Sequence, residues 1–135
     1  PEADCAKIAY QLASAMAFYH ELCIAHRDIK LENILVDTSR PDMPTKLIDF
    51  GFATQSRSNN DKLSTFCGTP AYMAPELCNR DEYLGPQADS WALGIVLYTI
   101  LFGAQPFKAR TEKDLFVKIK KGQLAFPKRE AEPSV

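Results

Sequence analysis

Within His26-Arg27-Asp28-Ile29-Lys30-Leu31-Glu32-Asn33 an acid, a lysine and an amide stand two and three positions apart, and a second acid follows in Asp49-Phe50-Gly51, sixteen positions after Asn33. A carboxylate and an amide carbonyl are hard oxygen donors of the kind a small divalent cation takes. A second carboxylate can accept a hydroxyl proton, and an ammonium can sit against a phosphate. Carried on neighbouring loops, the four side chains form a set suited to holding a hydroxyl, a divalent metal and a phosphate together. Taken singly, each would be an ordinary turn or surface residue.

The elements that must position this set are legible in outline. Ile8, Leu12, Ala15, Met16, Tyr19 and Cys23 recur at helical spacing, which predicts a helix from about Ala3 to Leu22 with one apolar face. His20 on that helix is expected to be a surface or interface residue rather than a ligand, since no partner cluster surrounds it in the sequence. Ile34-Leu35-Val36 reads as a short strand, Pro41 and Pro44 mark a turn-rich connection, and Lys46 to Ile48 reads as a second strand. Such a hairpin would carry Asn33 at one end and Asp49 at the other, bringing the two candidate ligands close. Residues 49–76 show little periodicity, and Ser56 to Asp61 is polar enough to be mobile. From Asp89 to Gly103 the chain is apolar almost all round, which predicts a trunk helix buried on most sides and stopped by Gly103. A last amphipathic helix is expected from Glu112 to Lys121, burying Leu115, Phe116 and Ile119 and ending at Gly122.

The chain has 135 residues, 46% of them hydrophobic, enough for one modest core. Its net charge of -1 argues for neither a nucleic-acid nor a membrane partner. Residues 108–135 are locally basic, with eight basic side chains against four acidic, and read as a solvated face. The four cysteines have no metal-ligand spacing, so a reducing, cytoplasmic or nuclear setting is expected. The longest apolar run, Trp91 to Phe102, is too short to span a bilayer.

HRDIKLEN (26–33), DFG (49–51), GTPAYMAPE (68–76) and DSWALG (89–94), in this order, resemble the eukaryotic protein kinases. The resemblance spans nearly the whole chain and implies an α+β fold: the mainly helical large, C-terminal lobe of a kinase domain, with a short β-hairpin carrying the catalytic and metal-binding loops. The family's Gly-rich loop, its strand lysine and the helix glutamate that pairs with it are not among these residues. Residues 1–135 are therefore expected to be an incomplete domain that is inactive alone. Lys30 within HRDxKxxN is similar to the serine/threonine class. The KLEN, TFCGTPAYMAPE and KIKKGQLAFP runs are similar to the calcium/calmodulin-dependent and AMP-activated-like group.

The resemblance further implies ATP and Mg²⁺ as cofactors and protein serine or threonine hydroxyls as acceptors. Asp28 would then be the base, Lys30 the cation against the transferring phosphate, and Asn33 and Asp49 the Mg²⁺ ligands. Leu35 would pack under the adenine, and Glu32, beside this nucleotide set, resembles an acid that some kinases use to read an arginine upstream of the target. His26 and Phe50 would belong to a stacked structural column. Asp89 resembles the acid that bonds backbone amides near His26 and Arg27, with a helix N-cap as its plainer reading. Thr69 resembles the threonine that bonds the aspartate and lysine, and Glu76 the buried anchor of the activation segment. Arg27 before Asp28 implies a phosphate switch, with Thr65 as the site an upstream kinase would modify. Phe52 to Gln55 lacks the second basic residue some relatives use to grip that phosphate, leaving Arg27 more isolated.

Overall fold

The computed structural model describes residues 2–128. Helix α1 (Glu2–Glu21) buries Ile8, Leu12, Met16 and Tyr19, a single stripe three and four residues apart, and that stripe packs on α3. β1 (Ile24–Ala25) follows directly, then β2 (Ile34–Val36), β3 (Thr45–Leu47), β4 (Thr54–Gln55) and β5 (Lys62–Leu63). The chain continues through α2 (Pro75–Cys78), β6 (Tyr83–Leu84), α3 (Gly85–Phe102) and α4 (Glu112–Lys121). The strands form three antiparallel pairs, β1 with β4, β2 with β3 and β5 with β6. In the central pair Ile34 faces Leu47 and Val36 faces Thr45.

Several expectations shift by a residue or more. β3 is Thr45–Leu47 rather than Lys46 to Ile48, although the Ile48 N–H still donates to the Asn33 carbonyl at 2.9 Å in register with the pair. α3 starts at Gly85, four residues before Asp89, with Pro86 in its first turn, where a missing N–H costs nothing. Asp89 is thus interior to the helix and caps nothing. The 49–76 segment is tied down by β4 and β5, and Asp61 Oδ2 accepts from the Arg57 and Ser58 N–H groups, giving 56–61 a defined turn. α4 matches its expected bounds: Thr111 Oγ1 accepts from the Asp114 N–H at its start, and Gly122 ends it in the left-handed conformation.

The trunk helix is less enclosed than its composition suggests. Gly85, Ala88, Asp89, Ala92, Ile95 and Val96 are buried, while Gly94 and Leu101 are exposed. An apolar groove of about 530 Å³ runs along the other side, lined by residues that include Trp91, Tyr98, Phe102 and Phe126. Cys78 lies in the core, where burial pushes its thiol up to about 11, and all four cysteines are unpaired. Among the described residues no helix is long and apolar enough to cross a membrane.

Gly85 is where β1 and α3 meet most tightly: a Cβ there would lie 2.4 Å from Ala25 Cβ. Gly85→Ala is expected to cost roughly 1–3 kcal/mol through overpacking, more than alanine's helix propensity returns. Because Ala25 immediately precedes His26, the strain falls next to the candidate site. A lower denaturant midpoint for the full-length variant would bear this out, and an unchanged or higher one would count against the contact.

Candidate active site

The loop between β1 and β2 carries most of the chemistry. Asp28 is 5% exposed. Its Oδ1 accepts from Thr69 Oγ1 at 3.0 Å, and Thr69 in turn accepts from Lys30 Nζ at 3.1 Å. Its Oδ2 lies 3.5 Å from Lys30 Nζ and accepts from Asn33 Nδ2 at 3.3 Å. Asn33 Nδ2 also donates to the Asp28 carbonyl at 2.9 Å, which commits the amide nitrogen to the loop and leaves Oδ1 as the acceptor end. Asp28, Lys30, Asn33 and Thr69 are therefore one hydrogen-bonded unit drawn from two loops about forty residues apart.

Two backbone devices hold the loop. Arg27 has φ 68, a left-handed conformation for a non-glycine residue, which costs of order 1–3 kcal/mol unless its surroundings over-determine it. They do: its N–H donates to Asp89 Oδ1 at 2.9 Å and the His26 N–H to Asp89 Oδ2 at 2.9 Å. Gly68 (φ 108) passes so close that a Cβ would lie 2.9 Å from the Arg27 carbonyl oxygen, so the segment carrying Thr69 can dock only with glycine there.

His26 is completely buried and uses both ring nitrogens. The Asp28 N–H donates to Nδ1 at 3.1 Å, which leaves Nε2 as the protonated nitrogen donating to the Ile48 carbonyl at 3.0 Å. One imidazole thus ties the loop bearing Asp28 to the residue before Asp49. Asp49 itself has φ 60, is exposed, and turns one carboxylate oxygen back to the Gly51 N–H at 3.1 Å. With Ile48 bonded to the Asn33 carbonyl, the Asn33 amide oxygen and the Asp49 carboxylate belong to adjoining ends of the β2–β3 pair. That oxygen set fits a hard cation that takes its remaining ligands from water and phosphate. Among the described residues no group of three or more His, Cys, Asp or Glu side chains is placed to hold a metal ion, here or elsewhere.

Phe50 makes edge-on ring contacts with His26 (4.6 Å between centroids, planes at 70°) and Tyr19 (5.8 Å, 90°) and remains 45% exposed. Leu35, on the same hairpin, is 53% exposed, and Glu32 is exposed. Arg27 Nε donates to the Phe52 carbonyl at 2.7 Å, and its Nη1 reaches the Tyr83 hydroxyl at 3.4 Å. Tyr83 OH donates to the Thr65 carbonyl at 2.8 Å, so Thr65 and Arg27 belong to one cluster, with the Thr65 side chain exposed. Arg80 stacks on Phe66, the residue after Thr65, with its guanidinium carbon 4.0 Å from the ring centroid.

Other residues depart from expectation. Glu76 is half-buried rather than buried and has no ion pair among the described residues. His20 is not a free surface residue: its Nε2 lies 2.9 Å from Asp89 Oδ2. Tyr19 OH donates to the same oxygen at 3.1 Å. Burial, reinforced by the Asp89 charge, pushes the Tyr19 phenol far above its usual range, so it remains a donor. The helical stripe predicted Tyr19 as core, but no signal within α1 could reveal an acid seventy residues away.

A compact unit of acid, lysine, amide and threonine, joined through a buried histidine to a second exposed acid, is the arrangement of a protein kinase loop pair. The family model described as the protein kinase domain matches residues 1–134, and the chain belongs to that family. Serine/threonine-protein kinase zyg-8 of Caenorhabditis elegans is 43% identical over 130 residues, covering 94% of this chain and 16% of its own length. Serine/threonine-protein kinase 33 of Bos taurus is 44% identical over 126 residues, covering 88% of this chain and 26% of its own. NUAK family SNF1-like kinase 1 of Mus musculus is 41% identical over 117 residues, covering 87% and 17%. The chain thus spans 16 to 26% of the length of these relatives.

Proposed function

We propose that this chain is the large-lobe portion of a serine/threonine protein kinase domain, and that the protein containing it transfers the γ-phosphate of ATP to serine or threonine hydroxyls of protein substrates. The observation that carries the reading is the Thr69–Asp28–Lys30–Asn33 unit. Thr69 occupies Oδ1 of Asp28, while Oδ2 has only the longer contacts to Asn33 and Lys30. Oδ2 is the oxygen left for an incoming hydroxyl, whose proton it takes as the bond to phosphorus forms. Lys30 Nζ, between Asp28 and Thr69, holds positive charge where the transferring phosphoryl group passes.

Asn33 Oδ1 and the Asp49 carboxylate would hold Mg²⁺, which when bound neutralises charge on the nucleotide phosphates. The exposed faces of Leu35, Phe50 and Phe52 are apolar surface for the adenine and for the ATP-binding lobe to cover. The segment alone is expected to be inactive, since among the described residues the proposed nucleotide contacts lie only on and beside this open hairpin.

Incubating the full-length protein with radiolabelled ATP, Mg²⁺ and a degenerate peptide library tests the reading. Label is expected on phosphoserine and phosphothreonine. Label confined to phosphotyrosine, or to a small-molecule acceptor, would contradict it.

Thr65, exposed and joined to Arg27 through Tyr83, is the proposed regulatory phosphosite. A phosphate there would add charge-assisted hydrogen bonds to a cluster whose Arg27 is now held by a carbonyl and a phenol. Thr65→Ala is expected to lower the kcat of upstream-kinase-treated enzyme about tenfold, on the scale of one such bond. Equal activity of treated wild type and variant would remove Thr65 as the switch.

A further inference from the structure

Asp89 is 1% exposed, yet its carboxylate accepts from four groups: the His26 and Arg27 N–H groups, Tyr19 OH and His20 Nε2. Two of the four are the backbone donors that fix the loop before Asp28. The other two come from the last turn of α1 and fix Asp89 itself. Tyr19 differs from His20 in touching the second half of the site as well, because its ring stands perpendicular to Phe50 at 5.8 Å. Phe50 follows Asp49 and is nearly half exposed, so its position rests on the two rings it meets, His26 and Tyr19.

A phenylalanine at position 19 would fill the same core space. The hydroxyl adds one thing, a buried hydrogen bond to a charge. We infer that Tyr19 is a positioning residue for phosphoryl transfer, its hydroxyl setting the carboxylate that orients the Asp28 loop and its ring setting Phe50 and with it Asp49. The inference rests on the kinase reading above and adds to it a residue outside the motifs that define the family.

The two contacts separate by substitution. Tyr19→Phe keeps the ring and removes the hydroxyl, and Tyr19→Leu removes both. In the full-length protein Tyr19→Phe is expected to lower kcat about fivefold to tenfold, the scale of one ordinary hydrogen bond because Asp89 keeps its other three donors, with KM for peptide unchanged. Amide hydrogen exchange over residues 24–28 should quicken while exchange in α4 stays as in wild type, and the half-saturating Mg²⁺ concentration should not move. Tyr19→Leu is expected to show the same loss and also to raise the half-saturating Mg²⁺ concentration severalfold.

Tyr19→Phe with wild-type kcat and unchanged exchange at 24–28 would overturn the inference. So would losses in both variants that merely track the folded fraction measured by circular dichroism, or an identical Mg²⁺ dependence for Leu and Phe. Asp28→Asn, assayed in parallel, keeps the two levels apart. If it shows its expected loss while Tyr19→Phe behaves as wild type, only the role of Tyr19 fails; if it keeps near-wild-type turnover, Asp28 is not the base and the inference fails while the kinase reading stands; if wild type transfers no phosphate, the kinase reading fails and the inference with it.

Discussion

Asp28→Asn in the full-length protein is expected to lower kcat for peptide phosphorylation by about 10²–10⁴-fold, the usual contribution of a general base, with ATP affinity within about twofold of wild type. Asparagine preserves shape but cannot take a proton. Its amide also meets donors on either side: turned one way it faces Lys30 and Asn33, turned the other it faces Thr69 Oγ1. ATP affinity is spared because Leu35 stays in the β2–β3 pair, Asp49 keeps its Gly51 contact, and the Asn33 amide keeps its bond to the Asp28 backbone carbonyl, which the substitution leaves in place. Single-turnover kinetics beside calorimetric ATP titration makes the comparison. Near-wild-type turnover would mean that Asp28 is not the base, and a loss confined to ATP binding would mean that it is structural.

Asp89→Asn is expected to have the largest effect on stability. The carboxylate has no access to water, and every contact it makes is as an acceptor. An amide in its place turns one acceptor into a donor, leaving at least one buried N–H or O–H opposed and unpaired at a cost of about 1–3 kcal/mol for that group alone. The weaker acceptor that remains also holds His26 and Arg27 less firmly. Since Arg27 keeps its left-handed backbone only because Asp89 pins it, the loop should relax and kcat should fall by more than the folded fraction does. Thermal unfolding and kcat measured well below the transition separate the two effects. An unchanged midpoint would mean that water reaches Asp89 in solution.

What the sequence revealed and what it hid follow from the range of each interaction. Asp28, Lys30 and Asn33 lie within one octapeptide, and Asp49 lies two residues past β3, so their association needs only a hairpin. α4 was legible because its start and stop are local: a threonine cap, acids in the first turn, lysines in the last, and a glycine. The start of α3 was misplaced because Gly85-Pro86 reads as a break, whereas proline is at home in a first turn and Gly85 is there for its contact with Ala25. β1, β4, β5 and β6 are two residues each, too short to show any period. The Asp89 cluster joins residues 62 to 70 positions apart, which no local pattern encodes, so His20 looked solitary and Tyr19 looked like core alone.

The most direct measurement is a crystal structure of the full-length protein with a non-hydrolysable ATP analogue and Mg²⁺. The expected result is a metal ion about 2.0–2.1 Å from both the Asn33 amide oxygen and an Asp49 carboxylate oxygen, with the terminal phosphate facing Asp28 and Lys30. A nucleotide bound with its metal on other residues, or Asp28 still closed over by Thr69 with no room for a hydroxyl, would contradict it.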